Sequence, residues 1–221
     1  MWTTLAYTHA VAPHRFLQVV DGTYTLAGFL PVGANRVSLF SGLRPGERRE
    51  SLRMEPWKAR VREVCAAAPG AAPLLDQVRD FEQSRFAGYR AVHLRRLRHG
   101  PVVFLGDAAH SMTPHLGQGA NLALLDAYIL SRELLHQPAG VPLTEAADRY
   151  AALRRSRQQF YFLITTALSP LFQSGVPSLT TLRNLTLPWL PRVPWIGAEM
   201  AHTVTGFKSG FFGRSIAILA I

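Results

Sequence analysis

The stretch from residue 101 to 135 constrains this chain more than any other. Pro101-Val102-Val103-Phe104-Leu105 is a continuous apolar run, the pattern of a strand buried on both faces. It stops at Gly106-Asp107, and a loop containing Pro114, Gly117 and Gly119 follows. From residue 120 to about 135 the apolar positions then recur at helical spacing, with Leu122, Leu125 and Ile129 on the inward face. A carboxylate at the C-terminal end of a strand can accept hydrogen bonds from ligand hydroxyls. The glycines let backbone approach a flat ring, and the helix start supplies unpaired N–H groups and partial positive charge suited to a carbonyl or an anion. Together these properties suit a polyhydroxy chain joined to an electron-poor heterocycle.

The remaining chain supplies a frame for this unit. Residues 16–20, 24–30 and 36–41 are β-rich, with turn signals at Asp21-Gly22, of the two-residue I′ kind, and at Gly33-Ala34-Asn35, which predicts an antiparallel meander. Glu55-Pro56-Trp57 opens a helix to about Ala68, and residues 73–81 carry Leu74, Leu75, Val78 and Phe81 at helical spacing. Residues 89–94 alternate as a strand does. A further helix runs from about Thr144, a candidate N-cap, toward Leu168. Beyond Gln158 charge becomes sparse, and Pro170, Pro177, Pro188, Pro191 and Pro194 cut the sequence into short pieces. No internal repeat is present.

Composition narrows the classes. With 48% hydrophobic and 17% charged residues in 221, the chain is globular rather than disordered. Lys+Arg 24 against Asp+Glu 14 gives +10, but the cations are nearly all Arg and are spread along the chain. No aromatic-interleaved basic motif or zinc-finger spacing accompanies them, so nucleic acid is not an expected partner. The single Cys65 falls on the apolar face of a helical stretch and is expected to pack in the core. The N-terminus lacks a cationic region followed by an unbroken apolar one, which argues for retention in the cytoplasm. The apolar part of residues 160–172 is too short to span a bilayer.

The block Val102-Val103-Phe104-Leu105-Gly106-Asp107-Ala108-Ala109-His110, then Pro114, then Gly117-Gln118-Gly119-Ala120-Asn121, with Asp126 further along the helix, resembles the second FAD-binding motif of the class A flavin monooxygenases. This is the family of p-hydroxybenzoate hydroxylase, which includes ubiquinone-biosynthesis hydroxylases and squalene epoxidase. The resemblance covers about residues 16–160, and residues 101–135 carry nearly all its weight. It implies an α/β (α+β) fold in which an antiparallel sheet is followed by helices, the C-terminal portion of a p-hydroxybenzoate-hydroxylase-like FAD-binding fold. It also implies a cofactor site built from Gly106, Asp107, Pro114, Gly117, Gln118, Gly119, Ala120 and Asn121. Asp107 would bind the ribityl hydroxyls, Pro114 would sit against the reactive side of the isoalloxazine, and the N–H groups around 117–121 would face its pyrimidine end. The implied activity is FAD-dependent monooxygenation through a flavin C4a-hydroperoxide. The electron donor would be NAD(P)H, and the substrate an aromatic or isoprenoid, lipid-like molecule.

One element of the family pattern has no counterpart in these residues. The only G-x-G, Gly117-Gln118-Gly119, has Leu122 at the third glycine position and follows a loop, so the strand, G-x-G-x-x-G turn and helix that hold the pyrophosphate are not found. The domain expectation is therefore residues 1–100 as a partial substrate-domain sheet with two short helices, 101–170 as the C-terminal part of the FAD-binding domain, and 171–221 as an apolar, Pro-rich segment. Two functional alternatives stand: a monooxygenase present as its C-terminal portion, or a non-catalytic subunit or pseudo-enzyme that needs a separate N-terminal nucleotide-binding half. The clustered phenylalanines and the Ile216–Ile221 run of the tail could dock on the inner face of a membrane or on such a partner. Asp107, His110 and His115 suggest no third or fourth metal donor, and no metal is expected. His110 reads as a loop-fixing residue, and no catalytic acid or base can be named. Arg90, Arg95, Arg96 and Arg98 are either solvated hairpin charge or an anion site.

Overall fold

The computed structural model describes residues 1–7, 15–43, 46–211 and 213. It comprises two compact units, Met1–Gly88 with Pro170–Asn184, and Tyr89–Ser169 with Leu185–Ile221.

In the first unit, β1 (Trp2–Ala6), β2 (Leu17–Asp21), β3 (Thr25–Pro31) and β4 (Arg36–Ser41) form an antiparallel sheet in the order β1-β4-β3-β2. Strands β2 to β4 are the expected meander. The edge strand β1 is an addition, since five alternating residues give no hint of pairing with β4 some thirty positions on. The Asp21-Gly22 turn is longer than the two-residue form: Asp21 pairs with Thr25, so Gly22, Thr23 and Tyr24 make the connection. Arg183 donates from Nη1 to Gly22 O at 2.5 Å and to Leu171 O at 3.1 Å, which holds this turn against residues 171–183.

One face of the sheet packs on α1 (Met54–Val64) and α2 (Ala72–Asp76), with Phe29, Val37, Leu39, Trp57, Val61 and Leu75 at the centre of the core. Both helices are shorter than their periodicity suggested. α1 tightens into a 3₁₀ turn at Cys65–Ala67 because Ala68, which precedes Pro69, is held out of the helical region (φ −135°, ψ 70°). Phe81 lies beyond α2 but still packs its ring edgewise on Trp57, centroids 5.7 Å apart. Cys65 is in the core as expected, and burial pushes its thiol up to about 11.

The second unit is mostly helical. The hairpin β5 (Arg98–His99) and β6 (Val102–Val103) leads into α3 (Asp107–His110), and α4 (Gly119–Leu135) and α5 (Leu143–Gln173) follow. After these come α6 (Pro177–Thr186) and α7 (Pro194–Val204); the end of α5 and α6 to Asn184 belong to the first unit. Three sequence expectations are corrected here. Residues 89–94 are not a strand; they run beside the α3 region, where Val92 N donates to Ser111 O and Leu94 N to Ala109 O, but 107–110 is helical and is no partner strand for them. The run 101–105 is not a strand buried on both faces: only Val102–Val103 pairs, with Arg98–His99, and Val102 is 50% exposed. Pro170 does not end its helix but sits in the last turn of α5, where the missing N–H removes a single bond.

The whole is a mixed α/β fold. No helix among the described residues is long and apolar enough to cross a membrane. Of the tail, Phe207 and Phe211 are exposed, while the Ile216–Ile221 run lies outside the described residues.

Gly28 pairs with Phe40 across β3 and β4, and a Cβ on Gly28 would collide with the Phe40 ring. Gly28→Ala should therefore lower stability by about 1–3 kcal/mol in urea unfolding. Adding Phe40→Leu should restore part of it, whereas strictly additive losses would contradict this packing.

Candidate functional site

The loop between β6 and α4 is shaped by its glycines and by what anchors it from below. Gly106 has φ +57°, ψ −141°, a conformation in which a side chain is strained, and it turns the chain directly into α3. Asp107 is therefore the first residue of α3, exposed, and makes no ion pair or side-chain hydrogen bond among the described residues. Pro114 opens a 3₁₀ turn (Pro114–Leu116), which Gly117 closes in the left-handed conformation at φ +64°.

Beneath this loop lies a carboxylate that sequence reasoning placed only as part of a pattern. Asp126, on the inward face of α4, is fully buried. Its Oδ2 accepts from the Gly106 N–H at 2.9 Å and from His110 Nε2 at 2.6 Å. Its Oδ1 accepts from Arg154 Nε at 2.6 Å and from Gln158 Nε2 at 3.0 Å. Burial pushes the Asp126 carboxyl up, but the His110 hydrogen bond, the Arg154 charge and the Gly106 amide together hold it below its ordinary value. Arg154 also donates to Leu122 O at 3.2 Å, and Tyr150, one turn earlier on α5, donates to Phe104 O at 3.1 Å. His110 is thus the loop-fixing residue expected. An apolar-periodicity scan is blind to this cluster, because it assigns the inward face to hydrophobes; the i, i+4, i+8 spacing of Tyr150, Arg154 and Gln158 is the signal that could have found it.

The start of α4 is open on its outer side. Gln118, the buried N-cap residue, provides no side-chain cap. Its amide instead donates to Val204 O at 2.6 Å and its Oε1 accepts from Asn121 Nδ2 at 2.8 Å. The first helical bond is Leu122 N to Gln118 O, so the N–H groups of Gly119, Ala120 and Asn121 precede the helical ladder. A Cβ at Gly117 or Gly119 would meet nothing within 4 Å. Gly206, just past α7, presses against the side chains of Asn121 and Gln118 at φ +81°; it escaped sequence reasoning because its partners lie more than eighty residues away.

The outer loop is tied down as well. Thr113 Oγ1 lies 2.5 Å from Ser169 Oγ and 2.9 Å from His115 Nδ1, and Ser169 donates to Thr165 O at 2.7 Å. Burial holds the His115 imidazole below its ordinary range. The structure therefore brings Gly106, Asp107, Pro114 and residues 117–121 into one loop and helix start with a carboxylate and backbone donors that have no partner among the described residues. The side chains of Gln118 and Asn121 are engaged internally, so what these two offer outward is backbone.

Comparison with known proteins bears on this loop directly. A family described as the FAD binding domain matches residues 13–161. The 2-heptyl-3-hydroxy-4(1H)-quinolone synthase of Pseudomonas aeruginosa is 67% identical over 92 residues, 42% of this chain and 23% of that enzyme. Aurachin C monooxygenase/isomerase of Stigmatella aurantiaca is 31% identical over 139 residues, 59% of this chain and 33% of that protein. Among solved structures, a probable FAD-dependent monooxygenase from Pseudomonas aeruginosa is similar at a TM-score of 0.66 and 29% identity, covering 76% of this chain and 46% of its own. The fold of Klebsiella pneumoniae HpxO, solved with FAD and uric acid, is shared at a TM-score of 0.73 and 24% identity, over 96% of this chain and 53% of that one. The chain thus spans about half the length of these structures and a third or less of these curated relatives.

Asp126→Asn should cost about 3–5 kcal/mol in urea unfolding at pH 7, because the Arg154 charge is left buried without its partner. The wild-type stabilisation is fully present above the carboxyl's ordinary value of 3.8 and is lost as pH falls below it toward the depressed folded value. The variant should therefore show a flatter stability profile below that pH. Parallel profiles would place the carboxylate's charge outside the stabilising network.

Proposed function

The chain belongs to the FAD binding domain family, and from that premise we propose that it forms the isoalloxazine-side half of an FAD-dependent monooxygenase site. The observation that carries this reading is the exposed Asp107 carboxylate, which has no partner among the described residues, together with a helix start at Gly119 that lacks a side-chain cap. The residues fit the cofactor. A carboxylate without a partner among the described residues suits ribityl hydroxyls, and the three N–H groups that precede the helical ladder suit the electron-rich pyrimidine edge of the ring. Around Gly117 and Gly119 there is room for a flat ring to approach the backbone.

In this reading Asp107 accepts from the ribityl hydroxyls, Pro114 bounds the ring, and the amides of Gly119, Ala120 and Asn121 stabilise negative charge at its pyrimidine end. The Asp126 cluster keeps Gly106, and so Asp107, in place. Bound FAD supplies the redox and oxygen chemistry; the protein's share is placement and electrostatics. NAD(P)H is the proposed electron donor. The proposed substrate is a small aromatic or isoprenoid-like molecule, the aromatic reading being supported by the quinolone named for the Pseudomonas relative. The segments held by the relatives and not by this chain are the proposed source of pyrophosphate contacts, supplied by an N-terminal half. Contact with a membrane surface through the tail is proposed on the exposure of Phe207 and Phe211.

Titration of the purified chain with FAD, followed by the visible flavin band, tests this. Wild type should perturb the spectrum saturably, and Asp107→Ala should weaken binding by about tenfold or more through loss of charge-assisted hydrogen bonds. A folded wild-type chain that leaves the spectrum unchanged would overturn autonomous binding, and equal affinity in the variant would remove Asp107 from the site.

A further inference from the structure

The second unit holds a groove of about 530 Å³ that shares no residue with the 106–121 loop. One wall is a single face of α5, formed by Ala151, Arg155, Gln158, Gln159, Phe162 and Leu163, at spacings of three and four. The other is the segment from His93 to Leu97, whose backbone bends at Arg95 and Leu97. Arg95, Arg96 and Arg155 all line it, and none of them makes a hydrogen bond or ion pair among the described residues. Arg98, in the same basic hairpin, is different: it pairs with Asp148 through Nε at 2.7 Å and Nη2 at 2.8 Å. The sequence shows four similar arginines, and the structure separates the neutralised one from two that face the groove with a third from α5.

Three arginines line one groove that has no acidic residue among its lining, a composition suited to more than one negative charge, and guanidinium forks match phosphate oxygens two at a time. The aromatic component is also built in. His93 stacks on Phe162, centroids 4.8 Å apart at 26°, next to the apolar flanks of Leu94, Leu97 and Leu163. Burial, with His110 and Arg95 nearby, holds the His93 imidazole below its ordinary value, so this stack is largely uncharged at neutral pH. The wall is rigid at its base, because Gln158 is itself bonded to the buried Asp126. The volume suits a small organic molecule.

We propose that this groove binds a phosphate monoester of a molecule that also bears a flat ring, with Arg95, Arg96 and Arg155 on the phosphate and the His93–Phe162 stack against the ring. Neither the loop of the candidate flavin site nor any relative's name assigns such a site here.

Calorimetric titration of the full chain with phenyl phosphate, inorganic phosphate and phenol tests the assignment. Phenyl phosphate should bind saturably at one site and about tenfold or more tighter than inorganic phosphate, with phenol binding weakest. Arg95→Gln with Arg155→Gln should weaken it by at least about tenfold, and Phe162→Leu should bring it toward the affinity of inorganic phosphate. Arg49→Gln with Arg62→Gln, an equal change of net charge at exposed sites in the other unit, should leave it within about twofold. Both arginine pairs are surface residues, and unchanged thermal unfolding confirms that the variants are folded; attraction that weakens with added salt in the wild type is an independent reading. Uridine 5′-monophosphate separates the two sources: tighter binding than phenyl phosphate assigns a nucleotide, weaker binding a simple aryl phosphate. Absence of saturable binding, equal loss in both arginine pairs, or equal affinity for inorganic and phenyl phosphate would each overturn the proposal.

Discussion

The second unit depends on one buried carboxylate. Asp126 receives four donors, from the strand-to-helix turn at Gly106, from α3 through His110, and from α5 through Arg154 and Gln158. A charge taken out of water is tolerable only when its lone pairs are filled, and here every donor comes from a different stretch of chain or a different turn of helix. The carboxylate therefore fixes the mutual positions of the loop, α4 and α5. An apolar residue at the same position could fill the volume, but it could not dictate where the Gly106 amide points.

The proposed function rests on that constraint. A cofactor loop has to expose donors and acceptors to its ligand while its backbone stays still, and these demands conflict unless the loop is anchored from behind. The chain resolves the conflict by directing His110, Gln118 and Asn121 inward and leaving Asp107 and the first amides of α4 outward. Gln118 reaches Val204 and Gly206 presses on Asn121, so the far end of α7 is built into the base of the loop. The same α5 that supports the loop through Arg154 presents Arg155 and Phe162 to the groove, since adjacent positions on a helix face different directions.

Much of this was legible in the sequence. The spaced block from Gly106 to Asn121 carried both the family and the position of the loop, because its glycines answer to local backbone conformation and its residues lie close together in the chain. The β2–β4 meander and α4 were legible for a similar reason, each having strong periodicity between clear turn signals. The apolar run at 101–105 misled, since hydrophobicity reports what a segment can bury and not what this chain places beside it; half of Val102 remains in contact with solvent. Residues 89–94 misled similarly, because alternation supplies a strand-like pattern but only a partner strand makes a ladder.

By itself the sequence determined the position of the loop, the helical and meander segments and the membership in a flavin-binding family, because each of these is written in residues close together in the chain. Only the tertiary structure decided that Asp126 is the hub, that β1 joins β4, that Gly206 must be small, and that Arg98 is paired with Asp148 while Arg95, Arg96 and Arg155 have no ion pair among the described residues. Those outcomes depend on which distant groups meet, and the electrostatics of a meeting are set by burial and geometry that no local pattern encodes.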